Sequence, residues 1–157
     1  MEGRVDKKVQ VAPYVPTWMK EIVHDIGRFK RLPDGHIARA IVLTARQDIP
    51  TLNRLSPYFW RDLDDKGAAW IGHEKHDDLN DLISWRTDRV ERLKIRFTRA
   101  EYKYVDELAF ALARPFAHAI AVLVAMGIRD ERIVSTVAPG FVVRSPFSFR
   151  EGTFQWR

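Results

Sequence analysis

Three cations on alternate positions, Arg92, Lys94 and Arg96, stand between three apolar residues, Leu93, Ile95 and Phe97. Successive side chains of a strand point to opposite faces, so this hexapeptide would present three donors on one side and bury three hydrophobes on the other. A row of donors suits a polyanion; a solvated surface strand has the same pattern. The remaining chemistry-bearing residues are sparser. HEKH at 73–76 sets two histidines three apart beside Asp77 and Asp78 but lacks the HExxH spacing of a metalloprotease. His36 and His118 read as packing or helix-start residues. With no cysteine the chain has no disulfide and no thiolate metal site. It also shows no glycine-rich phosphate loop and no nucleophile–base pattern. No catalytic residue, metal or cofactor is expected, and an enzyme is the least supported class.

The cations need elements to hold them. After the strand, Thr98 is suited to cap a helix, with Glu101 three residues on completing a capping box. Tyr102, Val105, Leu108, Ala109 and Leu112 then fall on one helical face. Pro115 interrupts the pattern and opens a second helix to about Met126, apolar nearly all round and therefore buried; Gly127 marks its end unless IRDERIV extends it. The same order occurs earlier. Val9, Val11, Pro13 and Val15 alternate, a helix from Thr17 carries Met19, Ile22, Val23, Ile26 and Phe29, and Pro33 precedes the helix DGHIARAIVLTARQ. Pro115 lies 82 residues after Pro33 (115 − 33 = 82), and at that offset His36 meets His118, Ile41 meets Leu123 and Val42 meets Val124. The chain reads as strand–helix–helix, twice.

Charge is sorted along this plan. Residues 86–103 hold seven Lys/Arg against three Asp/Glu, residues 4–31 the same, and residues 60–83 the reverse, three against seven. Two basic segments thus flank an acidic middle, which favours a polyanionic partner over an even surface charge. The longest apolar run, 116–128, is too short to cross a bilayer. The charged N-terminus lacks the apolar core of a signal peptide, so a cytoplasmic protein with no membrane contact is expected.

A basic-apolar strand followed by two helices resembles the ribbon-helix-helix family of Arc/MetJ-type regulators, most closely at ERLKIRFTRAEYKYVDELA in the second copy. The resemblance implies a fold that is mainly α with a short β-ribbon. Its units span 7–48 and 91–134, separated by an acidic helical insert at 49–90 and followed by a short β-rich tail at 135–157. In that family two strands form an antiparallel ribbon that enters the major groove. The resemblance makes Arg92, Lys94 and Arg96 base-reading positions, joined in the first copy by Gln10 and Tyr14 with Ala12 between them. It assigns phosphate contacts to Lys8, Arg31, Arg99 and Arg114, and names double-stranded DNA as the partner. The first copy departs from the pattern: no cation lies between Lys8 and Lys20, Pro13 removes a ribbon donor, and Asp34 follows Pro33.

Pairing of the copies stays open. Within one chain, Ala12 would face Lys94 and spare the like-charge contact of a self-paired second strand; across chains, the protein would be a homodimer. The expected function is sequence-specific DNA binding by a transcription regulator. Alternatives are a plasmid-transfer accessory protein that bends DNA, an antitoxin-like interaction module using the tail aromatics Phe141, Phe147, Phe149, Phe154 and Trp156, and a helical RNA-binding subunit. Base stacking by Trp70 or Trp85 is a further, minor expectation.

Overall fold

The computed structural model describes residues 8–74, 78–79 and 89–143. These are mainly helical, with three short antiparallel strand pairs. β1 (Val9–Val11) and β2 (Tyr14–Pro16) lead into α1 (Thr17–Lys30), α2 (Asp34–Arg46) and a short α3 (Ile49–Leu55). A 3-10 turn (Ser56–Tyr58) and a hairpin of β3 (Leu63–Asp65) and β4 (Ala68–Trp70) follow. β5 (Val90–Arg92) and β6 (Ile95–Phe97) then lead into α4 (Arg99–Leu112), α5 (Phe116–Ile128) and α6 (Glu131–Val137). Each helix of the first series recurs 82 residues later with the same length.

The backbone repeats as closely as the elements do. α1 and α4 both end on a residue in the left-handed region, Arg31 (φ 59°) and Ala113 (φ 54°). The next amide in each case closes the helix end: Leu32 N–H donates to the Gly27 carbonyl at 2.8 Å, and Arg114 N–H to the Ala109 carbonyl at 3.0 Å. Pro33 and Pro115 then supply the fixed φ from which the next helix starts. Thr98 caps α4 in a full capping box with Glu101, whereas α1 starts after Pro16 without a side-chain cap.

Each copy is longer than its sequence pattern suggested. Asp48 and Asp130 cap third helices that lie beyond the 7–48 boundary and run past the 91–134 boundary. IRDERIV therefore does not extend α5: the Asp130 carboxylate accepts the Arg132 N–H at 2.9 Å and starts a separate α6. Residues 135–137, assigned from sequence to a β tail, finish that helix, and no strand occurs in 138–143. The insert, expected to be helical, holds a 3-10 turn and a hairpin after α3. The acidic helix expected within 76–91 falls largely outside the described residues, as do residues 144–157 of the tail.

The core lies where α2 crosses α5. Ala119 to Ile128 are buried on every side, so the near-uniform apolarity of this segment reflects a central helix. Gly127 permits the crossing, because a Cβ there would come within 2.4 Å of Ile41 Cγ2. Val15, Leu93, Ile95 and Phe97 close the core from the strand side, and Phe97 meets Phe116 edge-on at 5.9 Å. Phe29 leaves its stripe: it is 52% exposed, in edge contact with Phe141. Among the described residues no single helix is long and apolar enough to cross a membrane.

Two arginines of α2 reach from the first copy to the second. Arg39 of α2 forms a paired ion bridge with Glu101 of α4, its Nε at 3.0 Å. Arg46, fully buried, donates to the Tyr104 carbonyl (2.8 Å), to Asp65 of the hairpin (3.3 Å) and to Glu107 (3.5 Å). Burial, then the hydrogen bond to Asp65, pushes the Tyr104 hydroxyl up to about 12. The positions 82 residues beyond Arg39 and Arg46 are Ala121 and Ile128, which cannot return these contacts.

Candidate nucleic-acid interface

β1 pairs with β6 and β2 with β5, both antiparallel and in one continuous register: Val9↔Phe97, Gln10↔Arg96, Val11↔Ile95, then Tyr14↔Arg92, Val15↔Glu91, Pro16↔Val90. Continuing that register through the gap sets Ala12 opposite Lys94 and Pro13 opposite Leu93. The strands of the two copies thus pair within one chain. Pro13 explains why each strand is interrupted midway. Leu93 N–H donates to the Pro13 carbonyl at 3.0 Å, but Pro13 has no N–H to return the second bond of that pair.

Which pairs carry hydrogen bonds decides how the outer side chains meet. Pro13–Leu93 and the Thr17 N–H to Arg89 carbonyl bond at 2.9 Å fix the inward-facing pairs as the hydrogen-bonded kind. Gln10–Arg96, Ala12–Lys94 and Tyr14–Arg92 are then non-hydrogen-bonded pairs, in which opposed side chains stand closest. Their contacts agree. Arg96 Nε donates to Gln10 Oε1 at 3.3 Å, and the Arg92 guanidinium lies 4.7 Å from the centre of the Tyr14 ring. Gln10, Tyr14, Arg92, Lys94 and Arg96 are all exposed, while Leu93, Ile95 and Phe97 beneath them are buried. The outer face is therefore three rungs, each with at least one cation, over an apolar underside.

The structure brings these five residues together; of the four candidate phosphate contacts, two adjoin the ribbon strands and two lie in helix turns. Lys8 precedes β1 and Arg99 opens α4 directly after β6, so both flank the Gln10–Arg96 end, and both are exposed. Arg31 and Arg114 sit in the matching turns before α2 and α5. Arg31 is exposed, whereas Arg114 is engaged with Asp78 at 3.4 Å. The starts of α2 and α5 differ in charge. At α2, Asp34 accepts from His24 Nδ1 at 2.9 Å and shares a surface depression with Glu21, Asp25, Glu91 and Lys20. At α5, burial and then the Arg114 charge lower the pKa of half-buried His118.

Gly35 is a site residue that sequence reasoning missed. A Cβ there would meet the Lys94 carbonyl at 2.7 Å, so the first turn of α2 lies directly against the strand segment carrying the central cation. A glycine inside a helix start is a signal of such close approach, since it costs about 0.5–1 kcal/mol relative to alanine. Trp70 is no stacking platform: it is 8% exposed and donates to Asn53 Oδ1 at 2.9 Å. Trp85 lies outside the described residues. Comparison of the chain with protein-family models, with curated proteins and with solved structures yields no match.

Proposed function

We propose that this protein is a sequence-specific double-stranded DNA-binding protein of the ribbon-helix-helix kind, acting in transcription regulation, with a single chain supplying both strands of its reading ribbon. The observation that carries the reading is the outer face of that ribbon, where Gln10, Tyr14, Arg92, Lys94 and Arg96 stand exposed above a buried apolar layer. A two-stranded ribbon fits the major groove of about 12 Å width, and Arg and Lys match the acceptors O6 and N7 of guanine. The helical repeat supports the same reading, because a lone strand–helix–helix unit cannot cover its own apolar surface. The antitoxin-like alternative loses one of its anchors: Phe141 is half-buried and packed against Phe29.

A ribbon with unlike strands has no two-fold symmetry of contacts, so its site should be non-palindromic, as protein and operator symmetry correspond. Selection of binding sites from random duplexes with the full chain tests this. Enrichment of one non-palindromic motif is expected, with log affinity falling against log salt at a slope of roughly −4 to −8 as counterions are released. No enrichment together with a flat salt dependence would overturn the reading.

A further inference from the structure

We infer that Arg96 sets the base preference of Gln10, so that the Gln10–Arg96 end of the ribbon selects a G·C pair and rejects the A·T pair that glutamine ordinarily reads. The inference rests on the DNA-binding reading above and concerns which bases the ribbon accepts. A free glutamine recognises adenine with both halves of its amide: the oxygen accepts from N6–H and the nitrogen donates to N7. Here one lone pair of the oxygen is engaged, and the amide is turned towards Arg96. Arg96 Nε donates to Gln10 Oε1 at 3.3 Å, across a rung whose geometry holds the two side chains close. With its oxygen turned to Arg96, Gln10 offers the amide N–H donors outward. Arg96 adds its remaining guanidinium donors and a positive charge, which repels the amino group of an approaching adenine.

The other rungs offer donors too. Lys94 faces the small Ala12 side chain, leaving an ammonium group as the only polar side chain of its rung. Arg92 lies against the Tyr14 ring, which limits the guanidinium's freedom without occupying its N–H groups. The outer face consists almost entirely of hydrogen-bond donors, complementary to an edge made of acceptors. Guanine presents two acceptors side by side in the major groove, whereas adenine and cytosine each present a donor. Gln10 Oε1 is the chief acceptor on that face, and Arg96 withdraws it.

Site selection with wild type, Gln10→Ala, Arg96→Ala and the double variant tests the inference. Both substitutions are at exposed positions, and circular dichroism checks that each variant stays folded. The base pair read by this end is the one whose identity responds to Arg96→Ala, while Arg92→Ala marks the other end. Wild type should favour G·C over A·T at that pair by roughly five- to a hundredfold. Gln10→Ala should keep G·C. Arg96→Ala frees the Gln10 oxygen and should move the preference to A·T, and the double variant should have none. Wild-type preference for A·T there, or an Arg96→Ala variant that does not move to A·T, overturns the inference and leaves DNA reading intact. Absence of any selected motif in wild type overturns both.

Discussion

The two copies share a backbone and divide the chemistry. The second copy brings Arg92, Lys94 and Arg96 to the outer face, where the first brings Gln10, Ala12 and Tyr14. The first copy supplies Arg39 and Arg46, which clasp Glu101, Tyr104 and Glu107 of the second. At the matching positions the second copy has Ala121 and Ile128, and the first has Met19, Ile22 and Asp25. A first copy paired with its twin would set Arg39 beside Met19. A second copy paired with its twin would leave Glu101 without an arginine and place Lys94 against Lys94. Unlike pairing satisfies both charges, so the sequence differences that make the ribbon asymmetric also select the partner strand. The third helices add a reciprocal link: Asp48 accepts from Arg132 at 3.1 Å, and Asp130 lies 3.8 Å from Arg54.

The largest effect is expected at the shared underside. Ile95 is fully buried between the two exposed cations Lys94 and Arg96, and Ile95→Asp would bury a charge with no partner. Loss of the cooperative thermal transition, followed by circular dichroism, is the expected outcome; a melting curve like wild type would show that the ribbon does not close the core. On the outer face, Arg92→Ala, Lys94→Ala and Arg96→Ala should each weaken specific binding by about tenfold or more while leaving the melting temperature nearly unchanged. Gln10→Ala should cost less. Equal losses on both strands in electrophoretic shifts would erase the proposed division of labour.

The helix crossing gives a comparison of intermediate size. Gly127 and Ala45 occupy matching positions: a Cβ at Gly127 would run into Ile41, whereas Ala45 carries its Cβ fully buried. Gly127→Ala should destabilise by roughly 1–3 kcal/mol through overpacking against Ile41, and Ala45→Gly by about 0.5–1 kcal/mol. Urea denaturation would rank them, and the reverse order would contradict the crossing geometry.

The smallest effect concerns the Arg39–Glu101 clasp. Burial raises the Glu101 pKa, but hydrogen bonds from Arg39 and the Thr98 amide outweigh it and hold the carboxyl below its ordinary value of 4.5. A carboxyl depressed by folding stabilises the folded state fully above its unfolded pKa, and that contribution is lost as pH falls below the ordinary value through the folded one. Glu101→Gln should therefore lower stability by about 1 kcal/mol at pH 7. Its melting temperature should converge on wild type as the pH is lowered into the acid range. A gap independent of pH would remove the clasp from the account.

Much of this plan was legible in the residues. The alternation at 92–97, the Thr98 capping box and the two prolines 82 residues apart located both strands and the four long helices. Ala12 opposite Lys94 anticipated the pairing. Third helices were harder to see, because α3 and α6 have seven residues each, too few for a periodic stripe, and their Asp48 and Asp130 caps sit among other charges. The 3-10 turn and hairpin of the insert depend on contacts made at a distance, such as Arg46 to Asp65 and the Trp60 N–H to the Ala111 carbonyl at 2.7 Å. The Gln10–Arg96 bond was hidden for a similar reason: it joins residues 86 apart and exists only once the register is fixed.

The specificity ratio tests the central claim most directly: affinity for a selected duplex divided by affinity for a scrambled duplex of the same composition, measured by fluorescence anisotropy at one salt concentration. A wild-type ratio of about 10³ or more is expected. The Arg92→Ala/Lys94→Ala/Arg96→Ala variant, still folded by circular dichroism, should fall towards a ratio of one. A wild-type ratio near one, or a triple variant that keeps the wild-type ratio, would contradict reading of DNA by this ribbon.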